Sequence, residues 1–288
     1  MRGGLRPLPT LVALAFAWPV VAAEPPASPK RGVLVELYTS QGCDMCPAAE
    51  EILGRLAADV PGIVPIAFHV DYFDTPWKDV FSDELYSRRQ MTYNDVYAGP
   101  KPESYGLYYT PMMMIDGARS VNGRDRAAAV AAIRAARAKP PTVTLDVGLD
   151  VAEDGLSAAA TLRVSRRPGR GVGSPLLLCA VLREDRVATE VRSGENAGKT
   201  LIARFPARRT EYDFVELKDD APASKAFRFA VDPAWNRENL RLACFVQDRS
   251  TAVVHQAVDV PWPGAGAPKG DPTARAGERD HSVPKVAR

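Results

Sequence analysis

The chain has 288 residues, enough for one large or two ordinary domains, and its 46% hydrophobic and 25% charged content can build a sizeable core without a disulfide scaffold. The formal net charge of +2 is supplied by two arginines within residues 1–23, a segment that holds no acid. The balanced remainder lacks the basic footprint that nucleic-acid binding requires.

Arg2 and Arg6 precede an apolar run from Leu11 to Val21, and Val21-Ala22-Ala23 is a small-residue cleavage site. This pattern predicts a signal peptide over residues 1–23 and a periplasmic or secreted protein. The apolar run falls short of the ~20 residues that cross a bilayer, so no membrane span is expected after cleavage. Residues 24–31 read as a leader.

Gly32 to Tyr38 is a short apolar strand, followed by the polar turn Thr39-Ser40-Gln41-Gly42. From Asp44 the pattern turns helical, with Ile52, Leu53, Leu56 and Val60 on one face, Pro47 just inside the start and Pro61-Gly62 at the end. Ile63–Val70 is a second strand, expected to run parallel to the first. A helix follows near Ser82–Tyr93. A strand opens at Thr110-Pro111 and closes at the Asp116-Gly117 turn, and Arg119–Val121 pairs back on it. Arg124–Lys139 is an Ala-rich helix. After Pro140-Pro141 the texture changes to strand-like runs at Val143–Val151, Ser157–Val164, Leu176–Leu182, Phe227–Val231, Leu240–Gln247 and Ala252–Val260. The expected fold is an α/β domain over 32–139, an all-β, sandwich-like domain over 142–263, and a disordered tail over 264–288.

Cys43-Asp44-Met45-Cys46 stands at the strand-to-helix junction. A thiolate there faces free backbone N–H groups and the positive end of the helix dipole, which lower the Cys43 pKa and make it a nucleophile. Cys46, one turn inside, is placed to resolve a mixed disulfide. Thr110-Pro111, directly before a strand, is expected to adopt the cis form against the dithiol and to position substrate. Glu36 is an acid within an apolar strand, seven residues before Cys43; it reads either as a proton acceptor for Cys46 or as an edge-exposed carboxylate. Asp44 opposes the helix dipole and pushes the couple toward the reducing side.

The stretch from Val35 to Glu50, with Tyr109-Thr110-Pro111, Asp116-Gly117 and Ser193 to Leu201, resembles a family of secreted bacterial thioredoxin-like proteins, domain of unknown function 1223. The resemblance spans roughly residues 32–262. It implies a thioredoxin-like domain followed by a β-rich one, and no particular activity. Ile202-Ala203-Arg204-Phe205-Pro206 departs from the family pattern, in which a His-Asp pair and a Val-Val-Arg run follow.

Three functional readings follow. The first is an exported thiol–disulfide oxidoreductase without cofactor, acting on a protein or small-molecule disulfide with an unidentified redox partner. The second is a copper- or zinc-binding protein using Cys43, Cys46 and His69, a chemically suitable ligand set. The third is a redox-inert binding protein. Met112, Met113 and Met114 alternate along a strand, which favours core packing over a shared ligand set. Tyr72, Phe73, Trp77, Tyr105, Tyr108 and Tyr109 form either an aromatic wall or the packing of a long insert. Gly194–Thr200 is only a weak phosphate-loop pattern. Cys179 and Cys244 are either a structural disulfide, favoured by an oxidising compartment, or buried free thiols.

Overall fold

Four stacked layers account for the core. The computed structural model describes residues 31–173, 175–218 and 221–263. The expected signal peptide, the leader up to residue 30 and the tail from residue 264 lie outside them.

Strand β1 (Val33–Thr39) leads through the cysteine loop into helix α1 (Cys46–Asp59), and β2 (Ile63–His69) returns parallel to β1. Helix α2 (Glu84–Val96) is capped by the Asp83 carboxylate, which accepts from the Leu85 N–H. Strands β3 (Met112–Ile115) and β4 (Arg119–Asn122) form a hairpin antiparallel to β1, giving the order β2-β1-β3-β4. Its turn needs Gly117: φ is +62°, and a Cβ there would lie 1.7 Å from the Ala252 carbonyl oxygen. Helix α3 (Arg126–Arg137), capped by Asp125, covers the same sheet face as α1, burying Ala129, Ile133 and Ala136.

The remaining strands are β5 (Val143–Val151), β6 (Ser157–Arg166), β7 (Leu176–Glu184), β8 (Val187–Glu190), β9 (Thr200–Ala203), β10 (Ala207–Val215), β11 (Ala223–Ala230), β12 (Leu240–Asp248) and β13 (Val254–Pro261). They form a β10-β7-β12-β13 sheet, a β11-β6-β5 sheet and a separate β8-β9 hairpin. Strands β5, β6 and β11 alternate buried and exposed residues, as a sheet with one wet face does. By contrast, β7 and β12 are buried almost throughout. Leu176, Leu178, Ala180 and Leu182 of β7 enter the core shared with β5, β6 and β11. Cys179 and Val181 point the other way, into a core with Leu34, Tyr38, Ile66 and Phe68 of the first sheet.

That second core corrects the expected architecture of an α/β thioredoxin-like domain followed by a separate all-β domain. Among the described residues the molecule is mostly strand, with thirteen strands and three α-helices. It does not divide at Pro140-Pro141: the described residues between Arg31 and Pro263 belong to one compact unit. The β10-β7-β12-β13 sheet has no free face on which a boundary could form, because the first sheet covers it.

The same alternation decides between the two readings of Cys179 and Cys244, against the disulfide and for buried free thiols. Cys179 pairs across from Phe245 and Cys244 from Ala180, so the two thiols project to opposite faces of one sheet. Both are free and buried. Met112 and Met114 face one core and Met113 the other, all fully buried. No helix among the described residues is long and apolar enough to cross a membrane.

Candidate functional site

The loop Ser40-Gln41-Gly42-Cys43 is pinned from several sides. The Gly42 N–H donates to Ser40 Oγ at 3.0 Å, and the Cys43 N–H to the Ser40 carbonyl at 3.3 Å. A Cβ on Gly42 would stand 2.8 Å from the Phe73 carbonyl oxygen, so the loop passes where only glycine fits. Helix α1 starts with Pro47 in its first turn, and its N-cap residue Met45 contributes no side-chain cap. The Cys46 N–H donates to the Cys43 carbonyl at 3.3 Å, and the amides of Met45 and Cys46 at this helix start lie close enough to the Cys43 sulfur to favour its thiolate.

The two thiols are unbonded and both buried, Cys43 at 2% exposure and Cys46 at none; they differ in what acts on their charge. Hydrogen bonding from the Cys46 thiol, against the opposing effect of burial, brings the Cys43 pKa down to about 7, with help from Thr110 and the two amides. Burial, reinforced by the neighbouring Cys43, pushes the Cys46 thiol well up. The Thr110 hydroxyl is buried without a hydrogen-bond partner, and its proximity to both sulfurs favours their charged forms. The Thr110–Pro111 peptide is cis, and Pro111 packs where a Cβ on Gly123 would meet it at 3.0 Å, beside Ala49 of α1. The structure therefore brings Cys43, Cys46, Thr110 and Pro111 together.

Glu36 is elsewhere. Val35 and Leu37 face α1, so Glu36 points to the opposite side of the sheet from the helix that carries Cys46. It is fully buried, accepting from Arg89 Nε at 2.6 Å, from the Tyr93 hydroxyl, and from the Tyr38 hydroxyl at 3.3 Å. It is neither an edge carboxylate nor in place to take the Cys46 proton.

His69 is also engaged away from the thiols. Its Nδ1 lies 2.7 Å from Asp79 Oδ2, and Nε2 lies 3.7 Å from Glu50 Oε1 without a hydrogen-bond partner. Burial alone would lower the His69 pKa, but the Asp79 carboxylate outweighs it and raises it. Asp79 Oδ2 also accepts from the Gln41 N–H at 2.7 Å. His69 thus supports the loop through Asp79, and among the described residues no group of three or more His, Cys, Asp or Glu side chains is arranged to hold a metal.

A further partner comes from the segment between β8 and β9. Asn196, fully buried, donates to the Gln41 carbonyl at 2.8 Å and the Cys43 carbonyl at 2.9 Å. Glu195 Oε2 accepts from the Asp44 N–H at 2.9 Å, and Ser193 Oγ donates to the Pro76 carbonyl at 2.9 Å. The Ser193–Leu201 stretch is therefore a strap on the cysteine loop. Sequence reasoning missed Asn196, Glu195, Glu50 and Asp79 as site residues; the signal was that Ser193–Leu201, and the stretch ending at Glu50, share in the family resemblance. Around the dithiol, Tyr72 packs on Tyr108 (centroids 4.4 Å apart) and on Phe73 (5.4 Å), and Trp77 Nε1 donates to Gln41 Oε1 at 3.3 Å. Tyr105 and Tyr109 pair with each other at 5.3 Å.

Among solved structures, the chain resembles protein AGR_C_4864 from Agrobacterium tumefaciens, with a TM-score of 0.57 at 19% identity, over 81% of this chain and 96% of that one. It also resembles HBP35 of Porphyromonas gingivalis, with a TM-score of 0.60 at 14% identity, over 90% of this chain and 82% of that one. At these identities the likeness concerns the fold alone. No curated protein shows significant sequence similarity to the chain. The model of the family described as "protein of unknown function (DUF1223)" matches residues 34–247, and the chain belongs to that family.

Proposed function

We propose that the protein catalyses thiol–disulfide exchange, as a reductase or isomerase of disulfide substrates in an oxidising compartment outside the cytoplasm. The observation that carries the reading is the asymmetry of the two cysteines. Both thiols are buried, but the Cys46 thiol, Thr110 and two helix-start amides bring the Cys43 pKa down to about 7, whereas burial and the neighbouring Cys43 push that of Cys46 well up. An exchange enzyme needs this division between an attacking and a resolving thiol.

In the forward direction the Cys43 thiolate attacks one sulfur of the substrate disulfide. A Cys43–substrate S–S bond forms, the substrate S–S bond breaks, and the departing thiolate takes up a proton. Cys46 then loses its proton and attacks Cys43, releasing the second substrate thiol and leaving a Cys43–Cys46 disulfide. The substrate has gained two electrons and two protons. A thiol or dithiol reductant returns the enzyme disulfide to its starting state; in the isomerase mode the substrate's own thiol releases Cys43 before Cys46 acts. Thr110 and the amides of Met45 and Cys46 hold the charge on Cys43 in both directions.

The test is reduction of insulin disulfides by dithiothreitol, followed by turbidity, together with refolding of a scrambled disulfide protein. The wild-type protein is expected to accelerate at least one of these, and Cys43→Ser to match the rate without enzyme. Equal rates for the wild type and Cys43→Ser in both assays would remove the reading.

A further inference from the structure

We propose that Glu195 is a positioning residue that restrains the reactivity of Cys43 by holding the Asp44 amide, so that the strap between β8 and β9 sets how oxidising the dithiol is. The proposal deepens the exchange reading and rests on it for its functional meaning.

Three backbone amides follow Cys43. Those of Met45 and Cys46 favour the charge on its sulfur, the Cys46 N–H while donating to the Cys43 carbonyl at 3.3 Å. The first, that of Asp44, donates instead to Glu195 Oε2 at 2.9 Å. A carboxylate at this position does two things to a Cys43 thiolate. It engages a donor that an unpaired helix start would leave to the sulfur, and it places a negative charge one residue away. Asn196, next in sequence, fixes the geometry by binding the Gln41 and Cys43 carbonyls on either side of Gly42. Its Oδ1 in turn accepts from Lys199 Nζ at 2.9 Å. The strap belongs to a two-stranded sheet separate from the three larger ones, so its side chains reach the cysteine loop without being part of the framework that builds it.

The groups facing Cys43 are limited. Helix α1 brings Cys46, the loop itself brings Asp44, and the segment before β3 brings Thr110. The segment after β2 brings Tyr72, whose hydroxyl is engaged by Gln90 at 3.1 Å. Asp79, paired with His69, reaches the loop only through the Gln41 amide. From the strap come Glu195 and, through Asn196, Lys199. Of the two carboxylates closest in sequence or contact, Asp44 is fixed by its place between the cysteines. Glu195 is the one supplied from a distance.

The experiment measures alkylation of reduced Cys43 against pH, with the modified peptide assigned by mass spectrometry. Wild type is compared with Glu195→Gln, Glu195→Ala and Glu195→Asp. Removing the charge is expected to lower the Cys43 midpoint by roughly half a pH unit. Glu195→Asp, which keeps a carboxylate, is expected to stay closer to wild type than Glu195→Gln. High salt should narrow the gap between wild type and Glu195→Gln, because the carboxylate is exposed. In a glutathione buffer at pH 7 the Glu195→Gln equilibrium should move toward the dithiol by about twofold, since a more stable thiolate favours the reduced form. Midpoints for both uncharged variants equal to or above wild type would overturn the proposal. The titration needs no substrate. A shifted midpoint without insulin turnover would remove the exchange reading and keep the Glu195 role, whereas turnover without a shift would remove the Glu195 role alone.

Discussion

At the residue scale, the chemistry rests on unequal surroundings for two chemically identical side chains. Both are buried, but Cys43 has a hydroxyl, a thiol and two amides nearby that favour its charge, while burial and Cys43 itself disfavour charge on Cys46. Because Cys43 titrates near 7, its alkylation rate should climb with pH through that value and level off above it. Thr110→Val removes the hydroxyl donor while keeping the shape, and should move the midpoint upward by several tenths of a unit. An unchanged midpoint in that variant would show that Thr110 does not act on the thiolate. Cys43, Cys46, Thr110 and Pro111 were legible because each carries a local signal: the two-residue spacing, the strand-to-helix junction, the proline before a strand. Glu36 was misread because its partner Arg89 lies 53 residues further on, and an acid in an apolar strand does not announce its counterion. Asn196 was invisible because an asparagine becomes a site residue only when the fold places it, here on carbonyls 155 and 153 residues earlier.

Among the elements, α2 and the first sheet are joined by a buried ion pair. Arg89 of α2 reaches Glu36 of β1 at 2.6 Å, and its guanidinium lies 4.9 Å from the Phe245 ring centroid and 5.2 Å from that of Tyr93. Replacing it by methionine leaves a buried carboxylate with hydroxyl partners only, which should cost about 3–5 kcal/mol. Urea denaturation checks this; a loss under 1 kcal/mol would mean that Glu36 is not held as a charge. His69 and Asp79 form a second buried contact, 2.7 Å apart, beneath the cysteine loop, so His69→Ala should both destabilise the fold and loosen Gln41. The longer elements could be read from periodicity and turn residues, and β5 matches its expected limits. Strands β8, β9 and β10 were missed: β10, Ala-Arg-Arg-Thr-Glu-Tyr-Asp-Phe-Val, carries polar residues on most of its length and buries only its two ends. Its strand state comes from pairing with β7, which no local pattern encodes.

In the whole molecule, the decisive feature is a central sheet covered on both faces. The change of texture at Pro140-Pro141 is real in the sequence, but it separates helical from strand-rich chain rather than one independent fold from another. The first sheet presents Leu34, Tyr38, Ile66 and Phe68 to Cys179, Val181, Ala243 and Phe245. A fragment over residues 31–139 would leave that apolar face in water, and should aggregate or remain unfolded, whereas residues 31–263 should unfold in one cooperative transition. A fragment with its own sharp thermal transition would contradict this. Sequence reading failed here because a continuous apolar run such as Leu176–Leu182 says that both faces of a strand are buried without saying against what. The coupling matters for function, since Glu195 and Asn196 come from the strand-rich part of the chain and act on a loop from the helical part. The most direct test of the account traps the exchange intermediate. With Cys46→Ala, Cys43 should accumulate a mixed disulfide with a disulfide substrate, seen as a mass adduct lost on reduction, and Cys43→Ala should accumulate none. Equal trapping by the two variants, or none by either, would contradict the assignment of Cys43 as the attacking thiol.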